Sequence, residues 1–457
     1  NFRYGWLNKS FHKKVYALKN DYISSNLLRN SFVVVPLLNY LNITNDKKTN
    51  LIKYDYLRET KAYKKEGSLN FDSRKLKYAP RFIYLYEFNL IDFLRNLIIN
   101  SGNVEIFENS NENIFDQSFS NFFNVNYTQR NGFYSGQSNR EIIKHRENLK
   151  NYYFNLEEVG NKEDNIGYNI ITIPQSKNIK EDLKIAVANT KVNNLNIDKS
   201  LFANPNTSVE RRREFIDLLN DAEKLKADIL ILPEVSTPYR WLPLLADQAR
   251  RKQRVIIVGL EHIRINNVCY NFLATLLPLE HNGIKDLIIN LRLKNHYSPH
   301  EVKTIIDKGK EIPIKQRALY NLFIWGGIHF SNYNCYELAD INHRALFKSK
   351  VDVLFASEYN KDINHFSNIV ETVTRDVHCY FVQVNSSDFG DSRITAPSKT
   401  ETKDILRLKG GENSVVLLGK IDIKKLRDFQ KNRVSGQDTT IFKNTPPDFD
   451  HSNVESR

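Results

Sequence analysis

Short apolar runs closed by a polar residue recur through the second half of the chain, separated by segments whose apolar positions fall three or four residues apart. The runs Lys184–Ala188, Asp228–Leu232 and Val255–Gly259 have the length and β-branched content of buried strands. Between the first two, Thr207-Ser208-Val209-Glu210 has the form of a capping box with Thr207 as its cap. A helix is predicted to follow, with Phe215, Leu218, Leu219, Ala222 and Leu225 on one face and Arg211, Arg212 and Arg213 near solvent. Leu242–Arg251 predicts a second helix. Cys269–Pro278 and Leu287–Lys294 read as antiparallel strands around His281-Asn282-Gly283, where Asn-Gly favours a tight turn. Strands alternating with helices, with a hairpin inserted, predict an α/β sandwich.

The front of the chain reads differently. Phe82–Ile99 places Phe82, Leu85, Tyr86, Leu90, Phe93, Leu94, Leu97 and Ile98 at helical spacing just after Pro80. Residues 101–180 are rich in Asn, Ser and Gly, with Glu141–Tyr153 as a short helix; an extended arm, a set of loops and a small subdomain all fit. The expected division is a mainly helical, basic region over 1–100, a connecting region over 101–180, a sandwich domain over 181–428 and a mobile polar tail over 429–457.

Composition narrows the class. At 457 residues the chain exceeds the usual size of one domain. It holds no apolar run near the roughly 20 residues of a membrane span and does not open on a charged region followed by an apolar stretch, so no membrane partner and a cytoplasmic location are expected. Cys269, Cys335 and Cys379 are too few and too scattered for a disulfide framework or a paired zinc motif. His296 and His300 lack partner carboxylates at ligand spacing, and neither a metal nor a cofactor is expected. Methionine is absent from the whole sequence. The expectation is that methionines and further segments are missing from it, and that the intact protein weighs more than 53.5 kDa.

The net charge of +13 is concentrated at the front, where residues 1–100 carry 18 Lys and Arg against 8 Asp and Glu. Arg3, Lys9, Lys13, Lys14, Lys61, Lys64 and Lys65 alternate with Tyr4, Trp6, Phe11, Tyr54, Tyr56 and Tyr63. Such a face can hold phosphates and stack bases, making nucleic acid a candidate partner; a solvated basic face of a helical region fits equally well.

The candidate chemistry lies where strands end. Glu234 follows Ala227–Leu232, Lys294 follows Leu287–Leu293, and Cys335 opens a turn after the apolar stretch Leu322–Trp325. A carboxylate, an amine and a thiol just past strand ends can converge in one crevice. Taken singly, each has a plainer role: a capping carboxylate, a solvated ammonium, a small buried side chain.

Together with their flanks these residues resemble the carbon-nitrogen hydrolase (nitrilase and amidase) superfamily over about Leu183–Asp422. Ala227–Glu234 (ADILILPE) matches its glutamate motif and Cys335–Leu338 (CYEL) its nucleophile motif; Val351–Phe355, Glu371–Asn385 and Ser392–Ile394 follow as its later strands and helix. The resemblance implies a four-layer αββα sandwich and a thiol hydrolase acting on a small non-peptide amide or nitrile through a covalent thioester. Cys335 would be the nucleophile, Glu234 the general base, and Lys294 the oxyanion ligand beside the backbone amide of Tyr336. Glu301 occupies the position of the second glutamate that orients the lysine, and Glu337 that of an acidic residue holding the nucleophile turn. Family members commonly self-associate, so a homo-oligomer is expected. Departures fall around the pocket: Asn334 stands where an aliphatic residue is usual, and Ser357-Glu358-Tyr359-Asn360 replaces a loop that commonly carries Asn or Trp. Glu358, Tyr359 and Asn360 are therefore substrate-loop candidates; Glu358 would favour a cationic ligand, with a solvated loop carboxylate as the alternative.

A second reading stays open. Some bacterial antiphage reverse transcriptases carry a nitrilase-like domain behind a helical region, and this chain resembles the rear of such a protein. The sandwich would then be a scaffold or oligomerisation module in a nucleic-acid-associated antiviral defence protein. No Tyr-x-Asp-Asp polymerase motif is present, so the polymerase part is absent from this chain.

Overall fold

In the computed structural model, residues 86, 90, 155–159, 165–173, 180–281, 284–315 and 317–457 are described. The chain divides into two compact units, Asn1–Lys150 and Asn151–Arg457. In the first, Tyr86 and Leu90 are helical and buried, as the period over Phe82–Ile99 predicts. The rest of that helix, the expected helix Glu141–Tyr153 and the basic, aromatic front lie outside the described residues.

The described strands of the second unit are, in chain order, β1 (Asn155–Val159), β2 (Ile166–Ile173), β3 (Asp182–Asn189), β4 (Ile229–Ile231), β5 (Val255–Gly259), β6 (Ile263–Ile265), β7 (Val268–Tyr270), β8 (Phe272–His281), β9 (Ile284–Leu293), β10 (Ala318–Trp325), β11 (Ile328–Asn334), β12 (Val353–Ser357), β13 (Tyr380–Val384), β14 (Ser392–Thr395), β15 (Asp404–Leu408) and β16 (Val415–Asp422). They form an eight-stranded sheet in the order β1-β2-β10-β11-β12-β13-β14-β15, a six-stranded sheet in the order β16-β3-β4-β5-β8-β9, and the small hairpin β6-β7.

The two sheets lie face to face. Phe323 and Phe330 stack between them with ring centroids 5.0 Å apart, and Phe355 meets Phe330 edge-on at 5.6 Å. Polar groups also cross the interface in satisfied pairs. Asn332 Nδ2 donates to Thr275 Oγ1 at 2.7 Å, Asn321 Nδ2 to Asn290 Oδ1 at 3.0 Å, Trp325 Nε1 to the Pro278 carbonyl at 2.9 Å, and Ser357 Oγ to the Leu232 carbonyl at 2.9 Å. Each bond removes the desolvation penalty of a buried polar atom and pins one sheet's register against the other.

Helices cover the outer faces, completing the four-layer αββα sandwich. Val209–Lys224 and Leu242–Lys252 pack on the six-stranded sheet, while Ile363–Val373 sets Phe366, Ile369, Val370 and Val373 against Leu354, Ala356 and Phe381 of the eight-stranded sheet. Because β12 is buried on both faces, its sequence runs apolar from Val353 to Ala356 rather than alternating. The first of these helices begins one residue later than Thr207 predicts: Ser208 is the cap, its Oγ accepting from the Arg211 amide, and Asn206 Oδ1 accepts from the Ser208 amide.

Three expectations need correction. The eight-stranded sheet starts well before residue 181, since β2 pairs in parallel with β10 along Ile166–Ile173 and β1 pairs with β2. The stretch before Cys335 holds a further strand, β11, whose sequence His329-Phe330-Ser331-Asn332 hides its apolar face. Residues after 429 are not a mobile tail. Phe442, Phe449 and Val454 are buried, His378 Nε2 donates to the Lys443 carbonyl at 2.7 Å, and Arg457 joins Arg427 on the buried Asp352 carboxylate. Among the described residues no helix is long and apolar enough to cross a membrane.

Candidate functional site

Glu234 sits three residues past β4, where the chain turns between the sheets. Its amide donates to the Glu358 carbonyl at 3.3 Å, and the next residue, Val235, adopts a left-handed φ of 46°. The backbone reaches this place by running against Gly259: a Cβ added there would lie 2.3 Å from the Glu234 Cα, so only glycine leaves room.

Lys294 directly follows β9, and its amide continues the pairing by donating to the Asn271 carbonyl at 2.8 Å. Its Nζ is held between two carboxylates, donating to Glu234 Oε1 at 2.7 Å and to Glu301 Oε2 at 2.6 Å. Glu301 comes from the helix Pro299–Asp307, capped by Ser298, whose Oγ accepts from the Glu301 amide.

Cys335 directly follows β11 with φ 46°, a strained position for any side chain other than glycine. The turn is fastened from below. Glu337 accepts from Arg292 through two bonds of 2.6 and 2.8 Å, and also from the Asn334 amide at 2.7 Å and the Asn295 amide at 2.6 Å. Thus the carboxylate two residues after the cysteine ties the turn to the end of β9, which carries Lys294. The Cys335 Sγ faces the Tyr359 carbonyl.

Glu234, Lys294, Glu301, Cys335 and Tyr336 line one cavity of about 560 Å³, together with Tyr359 and Asn360. Glu358 does not join them. Its carboxyl is fully buried behind the site, taking one bond from Gln383 Nε2 at 3.1 Å, and burial pushes its pKa well above the usual carboxylate range despite nearby Arg393. Enclosed and absent from the cavity lining, the Glu358 carboxyl is neither placed to receive a cationic ligand in this cavity nor solvated as a loop carboxylate, which corrects both expectations.

Sequence reasoning missed Asn271 and His262. Asn271 Nδ2 lies 2.9 Å from Glu234 Oε1 and 2.7 Å from Glu301 Oε1, and its Oδ1 accepts from Asn334 Nδ2 at 3.0 Å. One amide therefore links Asn334, the residue before Cys335, to both carboxylates. His262 Nε2 lies 3.3 Å from Glu301 Oε1. Neither residue belongs to a periodic pattern or a strand-terminal charge.

The electrostatics divide the groups by role. Burial pushes the Glu234 pKa up, with Lys294 opposing. Burial alone would also raise Glu301, but the Lys294 ammonium and His262 outweigh it and hold that carboxyl down at about 2. Burial would lower Lys294, yet the Glu234 and Glu301 carboxylates hold it well above the ordinary lysine value. The Cys335 thiol is pushed well above its usual value by burial and by Glu234, against Lys294. The resting arrangement is therefore a thiol beside an ammonium, with an ionised Glu301 and a Glu234 of raised proton affinity. Cys269 and Cys379 are buried, and burial raises both thiols, Cys269 to about 11. Among the described residues no group of His, Cys, Asp and Glu has the arrangement of a metal site.

No protein-family model and no curated protein matches this chain. Solved structures similar to it include an amidase from Nesterenkonia sp., 15% identical over 55% of this chain and 94% of its own, with a TM-score of 0.39. XC1258 from Xanthomonas campestris, described as a CN-hydrolase superfamily protein, is 14% identical over 55% of this chain and 94% of its own, with a TM-score of 0.40. The glutamine-dependent NAD+ synthetase of Acinetobacter baumannii is 17% identical over 54% of this chain and 46% of its own, with a TM-score of 0.37.

Proposed function

We propose that this chain is a thiol hydrolase that cleaves a non-peptide carbon–nitrogen bond of a small amide or nitrile. The observation that carries this reading is the Lys294 ammonium held between Glu234 and Glu301 in the same cavity as Cys335.

For an amide, the steps follow from these groups. As Cys335 Sγ attacks the carbonyl carbon, its proton passes to the Glu234 carboxylate, so no free thiolate has to accumulate. The carbonyl π pair moves to oxygen, where Lys294 Nζ and the Tyr336 amide stabilise the negative charge. Collapse of this intermediate expels the amine, which takes the proton from Glu234, and leaves a thioester on Cys335. A water then gives its proton to Glu234 and attacks the thioester carbon. Collapse of the second intermediate releases the carboxylic acid and returns a proton to Cys335. Glu301 stays ionised throughout and keeps Lys294 protonated and aimed.

The test is the pH-dependent rate of alkylation of Cys335, located by peptide mass spectrometry, alongside amine release from a panel of amides. Fast labelling of Cys335 over Cys269 and Cys379, altered in Glu234→Gln and Lys294→Ala, with turnover lost in Cys335→Ala, is the expected result. Slow labelling indifferent to both variants, with no turnover in folded protein, would overturn the reading and favour a role in assembly.

A further inference from the structure

The cavity around Cys335 is larger and more apolar than hydrolysis of a minimal amide demands. Its volume of about 560 Å³ falls among those that enclose drug-sized ligands, roughly 300–1,000 Å³. Away from the polar cluster the wall is built by Ile197, Leu201, Val235, Ile305 and Phe366, all buried. Ile197 and Leu201 come from the helix Asn194–Leu201, and Ile305 from the helix that also carries Glu301. Tyr359 closes one side, its hydroxyl bonded to Asn194 Oδ1.

Of the charged residues along the rest of the lining, Asp198 is paired with Lys308 at 2.7 Å, Asp362 caps the helix Ile363–Val373 by accepting from the His365 amide, and the exposed Lys361 ammonium lies 5.8 Å from the centroid of the Phe389 ring. A charged substituent seated against Ile197, Leu201, Val235, Ile305 and Phe366 would lose its hydration to apolar side chains. An apolar one would gain by leaving water.

Resting on the hydrolase reading, we propose that the substrate is an uncharged amide or nitrile bearing a bulky apolar group, such as an arylalkyl or medium-chain aliphatic group, seated against Ile197, Leu201, Val235, Ile305 and Phe366. Small aliphatic amides meet the reactive residues but leave this wall unused.

The experiment uses the full chain and a series of neutral amides from acetamide through hexanamide to 4-phenylbutanamide, with a carboxylate-bearing analogue of the last. Ammonia release gives kcat/KM, and protection of Cys335 from iodoacetamide gives binding without requiring turnover. The expected result is a rise of about three- to fourfold in kcat/KM or protection for each added methylene, and at least a tenfold loss for the charged analogue. Thr304→Trp, placed at the half-buried lining, is expected to remove this size preference while leaving acetamide unaffected; Ile197→Ala provides a second change in wall shape. Turnover of acetamide with no gain along the series, or tighter protection by the charged analogue, would overturn this proposal and leave the hydrolase reading standing. Size-dependent protection with no turnover of any member would support the apolar site and count against the hydrolase reading. Absence of protection by every member at its solubility limit would overturn the proposal outright.

Discussion

Lys294 Nζ lies 2.6 Å from Glu301 Oε2, although the two residues are separated by a turn and belong to different elements. The pair sets the charge of the site. Lys294 stays an ammonium because two carboxylates face it, and Glu301 stays ionised because Lys294 and His262 outweigh its burial. Glu301→Gln preserves shape and removes that charge. Under the proposed mechanism, kcat should fall roughly 10- to 100-fold with a smaller change in KM, as Lys294 loses its orientation. The pH profile of Cys335 alkylation should shift as well, a result that a purely structural role for Glu301 would not produce.

Gly259 is where the backbone of β5 passes Glu234 most closely, leaving no room for a Cβ. Gly259→Ala should displace Glu234 and lower turnover at least tenfold. Overpacking should also cost about 1–3 kcal/mol of stability. Denaturant unfolding beside steady-state kinetics checks both; unchanged activity in the variant would contradict the positioning described for Glu234.

Arg292 and Glu337 form a buried bidentate pair beneath the turn that carries Cys335. Burial would raise the Glu337 pKa, but the guanidinium outweighs it and holds the carboxyl below its ordinary value. Glu337→Ala would strand a buried cation, at an expected cost of about 3–5 kcal/mol in urea unfolding. The double variant Arg292→Leu with Glu337→Leu should recover much of the stability without recovering activity, because the Asn334 and Asn295 amides would still lack their acceptor.

His378 binds the C-terminal segment as a neutral ring: Nε2 donates to the Lys443 carbonyl and Nδ1 accepts from Gln430 Nε2. Burial lowers its pKa from 6.5 to about 4. A folded pKa below the unfolded one means stability is fully present above about pH 6.5 and is lost as pH falls toward 4. The loss from this ring should reach at most about 3 kcal/mol. Hydrogen-exchange protection across residues 437–457, taken relative to the intrinsic exchange rate at each pH, should fall between pH 6.5 and 4.5, and His378→Gln should flatten that dependence.

Periodicity and punctuation made much of the sandwich legible. Buried strands such as Ile229–Ile231 and Val255–Gly259 read as apolar runs because both faces meet protein, and the helix Val209–Lys224 reads from its one apolar face and its Ser/Thr start. The Glu, Lys and Cys stood out because each interrupts or closes such a pattern, and their neighbours carry family-like motifs. Strand β11 escaped notice because its polar residues find partners in the opposite sheet or the adjoining strand, as Asn332 does with Thr275 and Ser331 with the Asn321 carbonyl. A one-dimensional pattern records polarity without recording who satisfies it.

The sequence by itself determined the alternation of strands and helices, because hydrophobic burial imposes its period on residues close in the chain. It also supplied the order of Glu234, Lys294 and Cys335. Only the tertiary structure decided that Asn271 bridges Glu234 and Glu301, that Glu358 turns away from the cavity, and that Arg457 returns to Asp352. These relations join residues tens to more than a hundred positions apart. Hydrogen bonds and ion pairs form between atoms within a few ångströms, so their partners become readable only after the sheets have packed and the turns have set their direction.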